Sequence, residues 1–304
     1  MAKNILLAGA TGLVGEQLIS RLLANGHQVS ILARKAIQKE GVKVFLWDVY
    51  QQKIDNQALE GIDTIINLTG EGIADKPWTE ERKQQIIDSR VKSAELIFRA
   101  IKATNAAIES YISASAIGIY GDREDEVLDE ESLNGTGFMA DCCIAWEKAA
   151  DQGIALGIRV VKVRIGIVLS EKGGALASME KPVNYFVGAG LGSGKQWMPW
   201  IHIDDLVNIF VHAVANQTMF DAYNATAPSP VTNQTFTKTL GKILHRPIWP
   251  FNVPKFVLKA ILGEMSILPL ISTNTSAQKI LNTGFQFRYL DLEDALKAVY
   301  ERKK

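Results

Sequence analysis

An apolar run, Ile5, Leu6, Leu7 and Ala8, passes directly into three glycines at positions 9, 12 and 15. Leu13, Leu18, Ile19, Leu22 and Leu23 then fall on one helical face. A strand that ends in a glycine turn and opens a helix is the context a dinucleotide-binding fingerprint requires. Gly9 permits a tight turn off the strand, Gly12 lets backbone approach a pyrophosphate, and Gly15 lets the helix pack closely on its strand. The unsatisfied N–H groups and the positive end of the helix dipole then face the phosphates. On this reading the phosphate loop comprises Gly9, Ala10, Thr11, Gly12, Leu13, Val14 and Gly15.

Residues 28–33 (QVSILA) read as a second strand, with Gly26 stopping the first helix and Arg34 and Lys35 following at once. An acid here would bond the ribose 2′-hydroxyl of NAD, whereas arginine accommodates a 2′-phosphate. No acid lies within reach of this strand end, so the pattern favours NADP(H) over NAD; Arg34 as a merely solvated loop charge is the alternative. Residues 42–46 read as a third strand closed by Asp48, which either lies beside an adenine or caps the next turn. Residues 63–68 form a fourth, and Leu68, Thr69 and Gly70 at its end complete the cofactor set. Thr79, followed by Glu80 and Glu81, starts a long helix whose apolar period runs to about Thr104. Residues 110–115 make a fifth strand. Strands alternating with helices predict an α/β fold, a Rossmann-type doubly wound parallel sheet.

The bulk properties exclude several functions. Lys plus Arg equals Asp plus Glu at 33 each, so no overall field draws the chain to nucleic acid or an anionic membrane. No apolar run reaches the roughly 18 residues that span a bilayer. The N-terminal run is too short, and too soon broken by glycine, for a signal segment. The only two cysteines, Cys142 and Cys143, are adjacent and cannot staple a fold, which suits reduced thiols in the cytoplasm. Neither metal-ligand spacing nor a G-x-S-x-G elbow occurs, so no metal is expected.

The loop G-A-T-G-L-V-G, a strand ending in small residues and S-A-S-A-I-G-I-Y-G at 113–121 together resemble the extended short-chain dehydrogenase/reductases. The narrower resemblance is to their atypical "epimerase family protein" subgroup. It rests on E-G-I-A-D-K-P-W-T-E-E-R-K (71–83), D-S-R (88–90), W-I-H-I-D-D-L (200–206) and I-L-G-E-M (261–265). Residues 231–294 are similar to that subgroup's C-terminal domain of unknown function. Typical members of the superfamily use a Tyr-x-x-x-Lys pair on the helix after the fifth strand, with an upstream serine polarising the substrate carbonyl. Here that helix reads F-M-A-D-C-C-I-A-W-E-K-A-A (138–150), and alignment on Glu147 puts Met139 at the tyrosine and Cys143 at the lysine. No tyrosine occurs between Tyr120 and Tyr185. The subgroup resemblance implies a retained serine, Ser115, a cysteine in place of the lysine, Cys143, and an arginine in place of a structural asparagine, Arg90. Arg90 would then lower the Cys143 pKa as basic neighbours do for reactive thiols. The other reading of Cys143 is a small buried hydrophobe. Tyr120 is either a substitute proton donor or structural.

Residues 160–169 read as a sixth strand, in which Arg164 must be paired or face a site. A second glycine cluster, 188–194, reads as a flexible edge of the substrate cleft. Trp197 and Trp200 either pack as core or wall a pocket. Asp204 or Asp205 is the natural N-cap of the next helix, and His202 is structural or chemical. Helices are expected at 233–244, 255–264 and 291–300, and a short strand or extended arm at 285–289. The division expected is 1–170 as the NADP-binding domain, with 200–226 rejoining its sheet. Residues 171–199 and 227–304 form a smaller, mainly helical substrate-type domain. The function expected is an NADP(H)-binding oxidoreductase or epimerase acting on a small polar substrate, nucleotide-linked molecules included. The alternative is a non-catalytic NADP(H)-binding sensor or interaction protein. No nucleic-acid or membrane partner is expected, and the chain is a monomer or a homodimer.

Overall fold

The computed structural model describes residues 2–301. β1 (Asn4–Ala8) leads through the glycine turn into α1 (Leu13–Ala24), which buries Gly15, Leu18, Ile19 and Leu22, much of the face that the periodicity marks. β2 (Gln28–Ala33) returns to β3 (Val42–Asp48) through coil rather than a helix, and β4 (Lys53–Ile54) pairs antiparallel with β3 at the sheet edge. After β5 (Thr64–Asn67), α2 (Glu80–Thr104) begins where the Thr79 hydroxyl accepts from Arg82 N and ends at Asn105, which takes the left-handed conformation. β6 (Ser110–Ala116), β7 (Val127–Leu128), α3 (Phe138–Ala150), β8 (Arg159–Ile165) and β9 (Ile167–Leu169) follow. The chain continues through α4 (Ala175–Asn184), β10 (Ala189–Leu191), β11 (Trp197–Met198), β12 (Trp200–His202), α5 (Ile203–Ala215) and β13 (Asp221–Ala225). Its last part holds β14 (Val231–Thr232), α6 (Asn233–Leu244), β15 (Trp249–Val253), α7 (Lys255–Leu262), α8 (Ile267–Leu270), β16 (Asn274–Thr275), α9 (Gln278–Asn282) and α10 (Leu292–Glu301).

The main sheet has the order β13-β8-β6-β5-β1-β2-β3-β4, parallel throughout except at β3/β4. Chain order reverses beside β1, with β2 on one flank and β5 on the other. Ligands of doubly wound sheets bind outside the strand ends at such a reversal. Alternate side chains fill opposite faces. Ile5, Leu7, Ile31, Ile66 and Ile112 pack under α1 and α5, while Leu6, Ile65, Tyr111 and Val160 pack under α2 and α3. A further core, centred on fully buried Trp200, draws Leu176, Val183, Phe236, Leu240, Leu292 and Leu296 from α4, α6 and α10.

Three local expectations need correction, and the choice left open at 285–289 is decided for the arm. The strand expected over 160–169 is two strands broken at Gly166, where a Cβ would lie 2.5 Å from the Pro199 carbonyl oxygen; β9 leaves the main sheet to pair with β12. The glycine cluster 188–194 is no flexible edge, because β10 pairs with β15 and a Cβ on Gly190 would overlap the Asn252 side chain. Residues 285–289 join no ladder: they form an arm whose Arg288 and Tyr289 N–H groups donate to the Asp205 carboxylate at 2.8 and 3.0 Å. Asp205 is thus occupied elsewhere, and the cap of α5 is His202, whose Nδ1 accepts from Asp204 N at 3.1 Å.

Candidate functional site

The three glycines of the first turn do different work. Gly9 has φ +78°, and a Cβ there would sit 2.6 Å from the Leu68 carbonyl carbon, so the turn lies directly against the end of β5. A Cβ on Gly15 would overlap the Gly9 carbonyl oxygen and lie 2.8 Å from Ala10 Cα. Gly12 is different: its backbone (φ −82°, ψ 170°) suits any residue, and a Cβ would meet only Gly9 O, at 3.4 Å. What Gly12 keeps clear lies outside the protein. It is the N-cap of α1 and no side chain caps that helix, so the N–H groups of Leu13, Val14 and Gly15 have no acceptor among the described residues. This is a cradle for an anion, and it fits the pyrophosphate of a dinucleotide.

The other cofactor candidates surround this turn or flank it. Leu68 N donates to Ala8 O at 2.9 Å and Thr69 N to Asn67 Oδ1 at 3.0 Å, while Thr69 Oγ1 is enclosed without a partner. Gly70 lies flat under the Arg90 guanidinium, with 2.9 Å from its ideal Cβ to Arg90 Cζ. Arg34 is exposed just past β2 and, among the described residues, forms no ion pair with a carboxylate. Asp48 accepts the N–H groups of Tyr50 and Gln51 at 2.9 Å each, so its carboxylate closes the turn after β3.

Ser115 is held away from free chemistry. Its hydroxyl donates to Glu147 Oε1 at 2.6 Å, and Glu147 takes Arg164 Nε and Nη2 at 2.9 and 3.0 Å. Arg164 Nη1 also donates to the Tyr120 hydroxyl at 2.9 Å, which donates onward to Asn224 Oδ1 at 2.7 Å. Burial opposes the Arg164 charge, but the Glu147 hydrogen bonds outweigh it and hold its pKa above the ordinary value. Burial pushes the Tyr120 phenol up to about 12. All five side chains are buried. The network ties β6, α3, β8 and β13 together, and gives Tyr120 the structural one of its two readings. The position of Glu147 in the sequence carries no sign of its Ser115 partner, 32 residues away. An acid on an apolar helix and an arginine in an apolar strand are a signal that each is the other's partner.

Cys143 is buried and packs with Met139 over Gly118; the ideal Cβ of Gly118 lies 3.1 Å from Met139 Cε and 3.6 Å from Cys143 Sγ. Burial, then Cys142 and Glu147, push its thiol up to about 12, and Arg90 counters them only weakly. An Arg90-activated thiolate is therefore corrected: desolvation outweighs the cation. Both cysteines are reduced. Cys143 in the folded protein at pH 7.5 should react with iodoacetamide on the order of a thousandfold more slowly than in the unfolded chain. Mass spectrometry of timed quenches measures this, and labelling at the unfolded rate would contradict the burial.

Arg90 keeps one firm hydrogen bond, Nη1 to Ile86 O at 2.9 Å, and stacks on the Trp146 ring at 4.8 Å. His202 is fully buried as the α5 cap and stacks on Tyr289 at 3.9 Å between ring centres. Trp200 is core, with Nε1 donating to Ser229 O at 3.0 Å, whereas Trp197 Nε1 donates to Asp125 Oδ1 at 2.8 Å. Among the described residues no group of three or more His, Cys, Asp or Glu is placed to hold a metal, and no helix is long and apolar enough to cross a membrane.

A parallel sheet with its reversal at β1, and an uncapped helix start beside it, define a nucleotide-binding protein of the Rossmann class. The profile of the NAD dependent epimerase/dehydratase family matches residues 5–141, and that of a domain of unknown function, DUF1731, matches 253–299. Epimerase family protein YfhF of Bacillus subtilis is 36% identical over 303 residues, covering 99% of each chain. The chloroplastic Epimerase family protein SDR39U1 homolog of Arabidopsis thaliana is 35% identical over 98% of this chain and 87% of its own. The crystal structure of human epimerase family protein SDR39U1 with NADPH superposes with a TM-score of 0.86 at 30% identity, over 98% of this chain and 99% of that one. The chain belongs to the epimerase family proteins, whose N-terminal part is an NAD dependent epimerase/dehydratase domain.

Proposed function

We propose that this protein binds NADPH across the β1 reversal and acts as an oxidoreductase or epimerase on a small polar substrate, nucleotide-linked molecules included. The observation that carries the reading is the uncapped start of α1 beside Gly12. The exposed cation Arg34 at the neighbouring strand end, and the NADPH held by the human relative, support the phosphorylated cofactor. When bound, the cofactor supplies hydride transfer. The chain's part is then to hold the pyrophosphate on the N–H groups of Leu13, Val14 and Gly15, and the 2′-phosphate on Arg34. Residues 171–199 and 227–301 enclose the substrate; 302–304 of the expected unit lie outside the described residues. Proton transfer cannot follow the usual tyrosine route, because Met139 carries no exchangeable proton and the Ser115 and Tyr120 hydroxyls are already committed. Cys143 keeps its proton at neutral pH and so is no thiolate nucleophile. The same committed hydroxyls favour the second reading, a non-catalytic sensor of NADP(H).

A substrate screen following NADPH absorbance separates the two: turnover of any small polar compound establishes the enzyme, and binding without turnover the sensor. Calorimetric titration of Arg34→Asp should reverse the preference for NADPH over NADH by about tenfold or more, since a charge-assisted phosphate contact becomes a repulsion. An unchanged preference would make Arg34 a surface charge.

A further inference from the structure

Around Gly70 the protein leaves hydrogen-bond donors without acceptors. Arg90 is half-buried, yet among the described residues no carboxylate lies within ion-pairing distance of it. Arg82 and Arg164, the more deeply buried arginines, are paired with Glu71 and Glu147. Arg90 Nη1 reaches Ile86 O and, at 3.5 Å, Ser89 Oγ; its Nε and Nη2 bond to nothing among the described residues and are not enclosed by them. Burial lowers its pKa, the direction of a cation short of a counter-ion. The guanidinium is held flat between Gly70 and the Trp146 ring, so the planar fork has little freedom to turn away. Trp146 supplies a second observation. It is nine-tenths buried, and its Nε1–H is enclosed with no acceptor. The hydroxyl of Thr69, next to Gly70, is enclosed and unpartnered as well. Native proteins satisfy nearly all such groups, and unpaired donors gathered round one arginine call for a ligand bearing acceptors.

The position says which ligand. Gly70 follows β5, on the opposite side of β1 from Arg34 and β2. A dinucleotide laid across the reversal with its 2′-phosphate at Arg34 has its nicotinamide half on the β5 side. Trp146, though it belongs to α3, packs with the cluster that contains Ala10, Ile66 and Ala114, near the ends of β1, β5 and β6. We infer that Arg90, braced by Trp146 and Gly70, is the substrate-anion residue of this site: the substrate carries an oxyanion, a carboxylate or a phosphate, that seats on the free edge of the guanidinium. This rests on the dinucleotide reading above. It also gives Arg90 a role separate from the thiol chemistry of Cys143.

The test uses the full-length protein saturated with NADPH, titrated calorimetrically with oxalate and, separately, with inorganic phosphate. Wild type should bind at least one of them in the millimolar range, and whichever binds identifies carboxylate or phosphate. Arg90→Gln should weaken that anion by about tenfold or more, the loss of a charge-assisted bond. Arg90→Lys, which keeps the charge but not the fork, should fall between. NADPH affinity should change by less than twofold in both variants, and a Tm near wild type for Arg90→Lys shows that the effect is not unfolding. Absence of anion binding by wild type, or equal binding by Arg90→Gln, overturns the proposal. So does a tenfold loss of NADPH affinity in Arg90→Gln, which would make Arg90 a cofactor ligand instead. Failure of wild type to bind NADPH at all is a different result, and refutes the dinucleotide reading itself.

Discussion

Gly12→Val is expected to lower NADPH affinity on the order of a hundredfold or more while leaving the protein folded, because a branched side chain would fill the cradle where helix N–H groups meet phosphate. The valine costs the fold little. Gly12 holds an extended backbone that any residue adopts, its Cβ meets only Gly9 O at 3.4 Å, and the loss of glycine as N-cap costs about 1 kcal/mol. Gly15→Val makes the contrast. Its Cβ would overlap the Gly9 carbonyl oxygen, so it disturbs the packing of α1 on β1 and costs about 1–3 kcal/mol through overpacking before any ligand is added. Calorimetric titration with NADPH and thermal unfolding of both variants check this. Unchanged affinity in Gly12→Val would remove the phosphate cradle, and an equal loss of stability in the two would mean that Gly12 is structural.

Arg164→Met is expected to destabilise the protein by about 3–5 kcal/mol, read from urea or guanidinium unfolding, because it leaves the Glu147 carboxylate buried without its cation and removes the donor to the Tyr120 hydroxyl. Both charges of the pair are buried, so solvent screening does little to soften the loss. Replacing both, Arg164→Met with Glu147→Leu, should recover much of that stability, since no uncompensated charge remains. Ser115→Ala removes a single hydrogen bond, with a cost of about 1–3 kcal/mol. A double variant as unstable as the single one would show that the pair is worth more than its mutual compensation. Ser115→Ala with native stability but no turnover would return the serine to the catalytic set.

The elements were largely legible. The limits of α3 and α6 match the sequence reading, as do the Thr79 cap and the end of α2, because apolar periodicity and capping chemistry are written within one turn of each helix end. The departures have local causes. Gly166 ends β8 because the Pro199 backbone passes where a side chain would be, a contact no local pattern records. His202 rather than an aspartate caps α5 because Asp205 is drawn away to hold the 288–289 backbone, more than eighty residues distant along the chain.

The candidate site divides along the same line. The phosphate turn was readable because the roles of Gly9, Gly12 and Gly15 depend on backbone conformation and on space next to one strand and one helix, which are properties of about a dozen neighbouring residues. The state of the chemical groups was not. Ser115 meets Glu147 across 32 residues and Tyr120 meets Asn224 across 104, so whether a hydroxyl is free is settled only when the strands assemble. The Cys143 pKa follows the same rule, since burial by the packed sheet and helices outweighs the arginine that sequence reasoning credited with lowering it. By itself the sequence determined the doubly wound framework and the glycine turn on it that is proposed to hold a phosphate. Only the tertiary structure decided which charges are spent on one another and which, like Arg90, have no carboxylate partner among the described residues, because pairing and desolvation are set by contacts between distant parts of the chain.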